Sequence, residues 1–375
     1  KTNAIAATFK ELVLPFTKIS GVFSFDKKNV QVTNLTFYIG KSHFNCYGTF
    51  ENFSSFLLGG QTLTLNASFF SKYIDIDEIL ALNNEKEIIK TVLGLWQKKI
   101  PPYYLSISEL LNLRMKGTIM RCKFGELISK DIHTRLSITE KTLHIDSLSM
   151  KTLEGLVFLT MKIKTDKEEH SKVDLDVDIK KINLVHFFKV MDNFGQDLLK
   201  EKNVEGKIDA NIKFKADFDR QLNMQVNTVE AKVDMLLQDL VLKGFFPLQK
   251  ISKRLFPHRD LNLIKIKRLE NHLTISKNKV ILPETTLASS ILFFTIKGEY
   301  EMNKALDVHL KIPLNNFESP YVLEKVQESA LKAISLHATL MGEMGSHPFK
   351  KIFTKSEKSQ SNVVYLFNIF CLIYS

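Results

Sequence analysis

The chain has 375 residues, 44% of them hydrophobic, with 28 Phe against a single Trp, Trp96. That length admits one large β domain or two ordinary ones, and the net charge of +11 fits nucleic acid, an anionic membrane surface or simply a Lys-rich exterior. Cys46, Cys122 and Cys371 lie far apart with no CxxC pair and no His at ligand spacing, so neither a zinc site nor a disulfide framework follows.

Ile19 to Phe25 and Val30 to Ile39 read as strands around the turn Asp26-Lys27-Lys28-Asn29. Phe44 to Phe50 follows with Gly48 inside it. After the Gly59-Gly60 turn, Thr62 to Phe70 places Leu63, Leu65, Ala67 and Phe69 on one face. Asp75 to Leu80 and Glu85 to Trp96 read as helical, and Pro101-Pro102 ends that region. Leu110 to Cys122, Ile132 to Ile138, Leu143 to Met150 and Leu156 to Ile163 are the next strands. Val173, Leu175, Val177 and Ile179 then alternate with Asp174, Asp176 and Asp178, which predicts one apolar and one wet face.

Leu184 to Leu199 is predicted as a helix. Gly206 opens a long strand in which Ile208, Ala210, Ile212, Phe214, Ala216 and Phe218 share a face, and Met224 to Leu242 is expected to continue as strands. Phe246 to Phe256 is a short basic segment carrying Lys250, Lys253 and Arg254. Beyond it, Leu269 to Ile275, Val280 to Leu282 (closed by Pro283) and Ile291 to Ile296 read as a meander. Leu306, Val308, Leu310 and Ile312 form a last alternating face, and Pro320 to Ile334 is the third predicted helix. The tail from Lys350 is polar and basic. The apolar stretch Asn362 to Ser375 is 14 residues long, short of the roughly 20 a spanning helix needs, and is read as lying outside the fold.

A loose repeat runs through this order. Three times a glycine-bearing strand leads to an alternating strand and then a helix, from Tyr47 to Leu80, Gly155 to Met191 and Gly298 to Ile334. The expected fold is mainly β with a few helices, in long curved antiparallel sheets that bury one face, either as a closed sandwich, which the pattern alone favours, or as a half-open sandwich with an apolar trough. The expected parts are 1–100, a strand meander and helix; 101–205, a second β unit with helix; 206–352, a C-terminal β region; and 353–375, the tail.

No catalytic pattern is complete. His258-Arg259-Asp260-Leu261 copies the start of a kinase catalytic loop, but Lys265 stands where the metal-binding Asn is needed, so it reads as a polar loop. Asp75-Ile76-Asp77-Glu78 lacks the glycine and final Glu of a calcium loop and reads as an acidic helix start. The reading is a non-enzyme with no cofactor and no metal. The basic residues accompany no nucleic-acid-binding motif, so nucleic acid is not an expected partner. A basic helix beside an apolar meander suits anionic lipid headgroups.

Several passages resemble the AsmA family of bacterial envelope proteins, relatives of the TamB-type bridge proteins. They are the Phe246-Pro247-Leu248 start, Leu269 to Ser290, Phe294 to Leu314 and Leu336 to Ile352, with Gly40 to Phe53 and Phe69 to Leu80 upstream. The resemblance covers roughly residues 19 to 352 and is a diffuse pattern of strands and glycines. It implies an elongated β-groove that holds acyl chains for phospholipid transport between membranes and outer-membrane biogenesis. It also implies a periplasmic location, with the family's transmembrane helix upstream of Lys1 in a chain that starts without Met.

On that reading Leu63, Leu65, Phe69, Val173, Leu175, Val177, Ile179, Ile208, Ile212, Phe214, Phe218, Leu306, Val308, Leu310 and Ile312 line the groove, and Lys250, Lys253 and Arg254 meet headgroups. The expected partners are phospholipids or other envelope lipids and the membrane. The alternative is an assembly factor that helps insert outer-membrane proteins without binding lipid.

Overall fold

Alternation dominates the sequence, and strands dominate the structure. The computed structural model describes residues 2–9, 12–26, 28–81, 107–166, 170–195, 200–219, 223–244, 262–277, 279–290, 293–301, 306–313, 335–342 and 351–352. The chain divides into two units. The first comprises Lys1–Asp178 with Phe214–Val226, the second Ile179–Lys213 with Asn227–Ser375.

The first unit is a mainly antiparallel open sheet. Its strands are β1 (Thr2–Phe9), β2 (Leu12–Asp26), β3 (Asn29–Ile39), β4 (Ser42–Glu51), β5 (Leu63–Ser71), β6 (Ile74–Asp75), β7 (Leu111–Phe124), β8 (Leu127–Thr139), β9 (Thr142–Thr152) and β10 (Gly155–Thr165). Each pairs with the next in antiparallel register except at one joint, where β5 and β6 both run parallel to β7. A parallel joint needs a crossover, and residues 72–110 supply it. β11 (Ser171–Asn183) and β12 (Val204–Phe218) each contribute residues to both units.

The second unit continues with β13 (Glu230–Lys243), β14 (Leu263–Ser276), β15 (Lys279–Ala288), β16 (Phe293–Glu301), β17 (Leu306–Pro313), β18 (Ser335–Gly342) and β19 (Lys351–Ile352), an antiparallel meander.

Four local expectations are corrected. A helix, Phe53–Gly59, precedes the Gly59-Gly60 turn and ends because Gly60 takes a left-handed conformation and donates its N–H to the Phe56 carbonyl. The helix predicted from Leu184 to Leu199 stops at Val190, because Asp192 and Asn193 adopt positive φ and a 3-10 turn, Asp192–Gly195, follows. Met224 is not in a strand. It makes one bridge to Phe218, and a 3-10 turn at Val226–Thr228 delays β13 to Glu230. β15 does not end before Pro283. It passes through to Ala288 with a register shift between Leu282 and Thr285, since a bulge is where a strand tolerates a residue without an N–H. The predicted helices Glu85 to Trp96 and Pro320 to Ile334, and the tail, lie outside the described residues.

The acidic passage before the first crossover helix, Ile76–Ala81, works as a clip. Asp75 caps that helix, accepting from the Glu78 N–H at 3.2 Å, while its own N–H donates to Ser42 Oγ at 2.9 Å. Asp77 accepts from Gly125 N–H, 2.8 and 3.0 Å to its two oxygens, and binds Lys123 Nζ at 3.3 Å. Glu78 accepts from Lys41 N–H at 2.8 Å. One turn of chain thereby holds the β3–β4 and β7–β8 hairpins. Gly40 is required there, with φ +56° and with the Glu78 carboxylate 2.3 Å from where a Cβ would stand. The three carboxylates read in the sequence as an acidic helix start are occupied by backbone N–H groups and a lysine.

The same local logic recurs in the second unit. Buried Ile182 precedes Asn183, whose side chain accepts from Val185 and His186 N–H at the start of the helix Leu184–Val190. Ile74 and Asp75 hold the equivalent places in the first unit.

Candidate functional site

Register turns the strands of the first unit into rows on one face. Leu65, Leu113, Ile138, Leu143 and Ile163 stand side by side across β5, β7, β8, β9 and β10. Ala67, Met115, Leu136, Ile145 and Met161 form the next row, and Phe69, Gly117, Thr134, Leu148 and Leu159 the third. Neighbours in a row are one strand spacing apart, about 4.8 Å, so each row is a band roughly 19 Å wide, apolar throughout in the first two rows and interrupted by Gly117 and Thr134 in the third.

The rows differ in cover. Phe69 is 9% exposed and joins Ile74, Ile119, Cys122 and Ile132 in a core against which Ile76 and Ile79 of the clip helix pack. The Phe69 ring lies over Gly117, 2.3 Å from where a Cβ would be. In the other two rows most side chains are only half-buried. Leu65, Ile138, Leu143, Ile163, Met115, Leu136, Ile145 and Met161 all keep contact with solvent, and Leu113 alone among the large side chains of these rows is buried. Phe25, in line with Leu65 by register through Val30 and Phe50, is 74% exposed, Leu58 is 89% exposed, and Leu110 is exposed as well.

The second unit gives the contrast. Along β13 and β14 buried positions alternate with exposed or half-buried ones, with one slip at Gln238–Asp239 and one at Lys267–Arg268, and Val233, Leu240, Leu273 and Ile275 are at most 2% exposed. Val280 and Leu282 of β15 and Ile296 of β16 are equally covered. Asn271 sits within this buried face, bonded to Thr285 Oγ1 at 3.0 Å. That face is a sealed core, while the first unit's face is open over two of its three rows.

The sequence-predicted residues divide accordingly. In the first unit Leu63, Leu65, Val173, Leu175, Val177, Phe214 and Phe218 are half-buried apolar side chains, and Phe69 is core instead. In the second unit Ile179 and Ile212 are half-buried, whereas Ile208 is 7% exposed and belongs to the core. Leu306, Val308, Leu310 and Ile312 of β17 pair in register with Gly342, Leu340, Ala338 and Leu336 of β18. Lys250, Lys253, Arg254 and the His258-Arg259-Asp260-Leu261 loop lie outside the described residues.

Two further points emerge. The wet face expected for β11 is incomplete, since Asp174 is exposed but Asp176 and Asp178 are half-buried. The densest part of the open face, on β7 to β10, was not singled out as a site from the sequence. The alternation of Val157, Leu159, Met161 and Ile163 with Phe158, Thr160 and Lys162 was the signal that could have found it.

The ionisable groups here are quiet ones. Burial pushes the Cys122 thiol up to about 11, helped by the charges of Asp75 and Asp77, and burial alone pushes the Cys46 thiol to about 11. Tyr73, whose hydroxyl donates to Asp75 Oδ2 at 3.2 Å, is also raised, first by burial and then by that bond. Among the described residues no helix is long and apolar enough to cross a membrane. Comparisons of the chain with protein-family models, with curated proteins and with solved structures found no match.

Proposed function

We propose that this chain is a non-enzymatic lipid-holding protein of a bacterial envelope, with acyl chains lying along the open apolar face of the first unit. The observation that carries this reading is the contrast in cover. The same alternating strands are sealed in the second unit and left half-exposed over two rows in the first. Apolar side chains of that number, in register and partly wet, are stabilised by any alkyl chain laid across them, at about 0.8 kcal/mol per CH₂ removed from water. Holding would be passive and directed by a gradient, with no group undergoing chemistry. The resemblance to the AsmA family supports phospholipid transport and outer-membrane biogenesis as the setting and the periplasm as the location. The sealed core of the second unit fits the alternative of an assembly factor for outer-membrane proteins, so the two readings differ over the first unit alone.

The test is native mass spectrometry of the purified chain, followed by organic extraction and lipid analysis. Phospholipid is expected at a defined stoichiometry, and it is expected to be lost in Leu175→Glu with the circular dichroism spectrum unchanged. A lipid-free chain that also refuses loading from liposomes would sink the reading in favour of the assembly factor.

A further inference from the structure

The opposite, solvent face of the first unit carries two adjoining hollows. The larger, about 680 Å³, is bounded by Lys116, His133, Arg135 and Phe158, with Asp176 and Asp178 on its β11 side. The smaller, about 460 Å³, is bounded by Tyr47, Ser68, Arg114 and Asp146. Lys116 and Arg135 line both.

These two cations are direct cross-strand partners in the β7–β8 pairing, and Arg114 lies two residues before Lys116 on the same face, opposite Ser137. Like charges directly opposite one another on a sheet destabilise it. Like charges also face each other at Arg121–Lys130 and Lys130–Lys151, and a carboxylate answers the last of these. Lys151 pairs with Asp131 at 2.9 Å, Lys215 with Asp174 at 2.9 Å, and Lys123 with Asp77 at 3.3 Å. Among the described residues Arg114, Lys116 and Arg135 have no ion pair. Arg135 Nε donates to Ser147 Oγ at 3.1 Å, which anchors the guanidinium and leaves its terminal nitrogens without a described partner. The one carboxylate in the smaller hollow, Asp146, is the extra residue of a bulge between Ile145 and Ser147 and is exposed.

We infer that Arg114, Lys116 and Arg135 form a binding site for a phosphate group. An anion between them would turn an unfavourable like-charge pairing into two charge-assisted contacts, one of them able to be bidentate through the guanidinium. The cations are gathered at one point between two strands, which suits a single phosphate ester or free phosphate better than the extended backbone of a nucleic acid. Because the site is on the face away from the apolar rows, it stands independently of the lipid-holding proposal.

The test uses the whole chain and two probes, inorganic pyrophosphate and vesicles with about one-fifth anionic phospholipid, each at about 0.1 M salt, where exposed charges more than about 10 Å apart are screened. Compared with wild type are Arg114→Gln/Lys116→Gln/Arg135→Gln and a control of equal charge loss on exposed strand lysines, Lys172→Gln/Lys232→Gln/Lys297→Gln. Pyrophosphate is expected to raise the melting temperature of wild type and control but not of the site variant. Without any anion, the site variant is expected to melt no lower than wild type, because a repulsion has been removed. Tenfold or greater loss of vesicle binding in the site variant alone assigns the phosphate to a membrane headgroup. A pyrophosphate response with no vesicle binding assigns it to a soluble phosphate. Equal losses in both variants, or no response of wild type to either probe, would each overturn the inference.

Discussion

Cys122 sits among Phe69, Ile119 and Ile132, and Cys46 packs against the same cluster. With both thiols at about 11, only about a thousandth of each is thiolate at pH 8, against about a tenth for a thiol at the ordinary 9.0. In a Cys371→Ser background, the native chain is therefore expected to react with a thiol reagent about a hundredfold more slowly than the unfolded chain. Ready labelling at pH 8 would mean that the core opens far more often than its packing implies. The same shifts bear on stability. A thiol that titrates higher in the folded chain contributes stability fully below about pH 9, and that contribution is lost as pH climbs through about 11. Tyr73 and Lys123 are raised in the same direction, Tyr73 first by burial and Lys123 first by its bond to Asp77. The urea midpoint should thus fall between pH 8 and pH 11, and less steeply in Cys122→Ala, measured against that variant's own value at pH 8.

At the scale of elements, the helix starts matter more than the helices, which are only six or seven residues long. Asp77→Ala removes the acceptor for Gly125 N–H and the partner of Lys123, and Asn183→Ala removes the cap of the helix Leu184–Val190. Each is expected to cost about 1 kcal/mol. Since the two share no partner and lie in different units, their costs should add in the double variant. Denaturant curves check this, and a double variant no worse than either single one would mean that the clips are redundant.

These clips also show what could be read beforehand. Strand alternation was plain in Val173 to Ile179 and Ile208 to Phe218, and the helical start after Asp75 was plain as well. Each follows from neighbours in sequence. The bulges at Thr17–Ser20 and Lys130–His133 were not legible, because Lys18 and Asp131 take positive φ there, a choice made by the pairing and not by the residue type. The parallel joint between β5 and β7 was equally hidden, since strands forty-odd residues apart in the chain have no local mark of their direction. For the site, alternation identified which side chains share a face but not whether that face is covered. Phe69 and Ile208 read like Leu65 and Ile212, and only tertiary packing separates them.

At the scale of the molecule, one sequence pattern has two outcomes, and a matched pair of substitutions separates them. Ile145 of the first unit and Val233 of the second are both apolar side chains at alternating positions in antiparallel strands. Ile145 is half-buried beside Leu136 and Met161, where a carboxylate can still reach water. Val233 is 1% exposed opposite Leu273, where a carboxylate would be buried with no partner. Ile145→Glu is therefore expected to cost about 1 kcal/mol and leave a cooperative melt, while Val233→Glu should cost more than about 4 kcal/mol and leave the second unit unfolded. Thermal melts followed by circular dichroism, with hydrogen exchange resolved by segment, would distinguish the two. Equal and severe damage from both would mean that the first unit's face is a protein core after all, and an open wall for acyl chains could not then be drawn there. Mild damage from Ile145→Glu together with loss of retained phospholipid would locate the binding face at its central row. The two units would then differ in role through the cover over their strands, since the strands themselves are built to the same pattern.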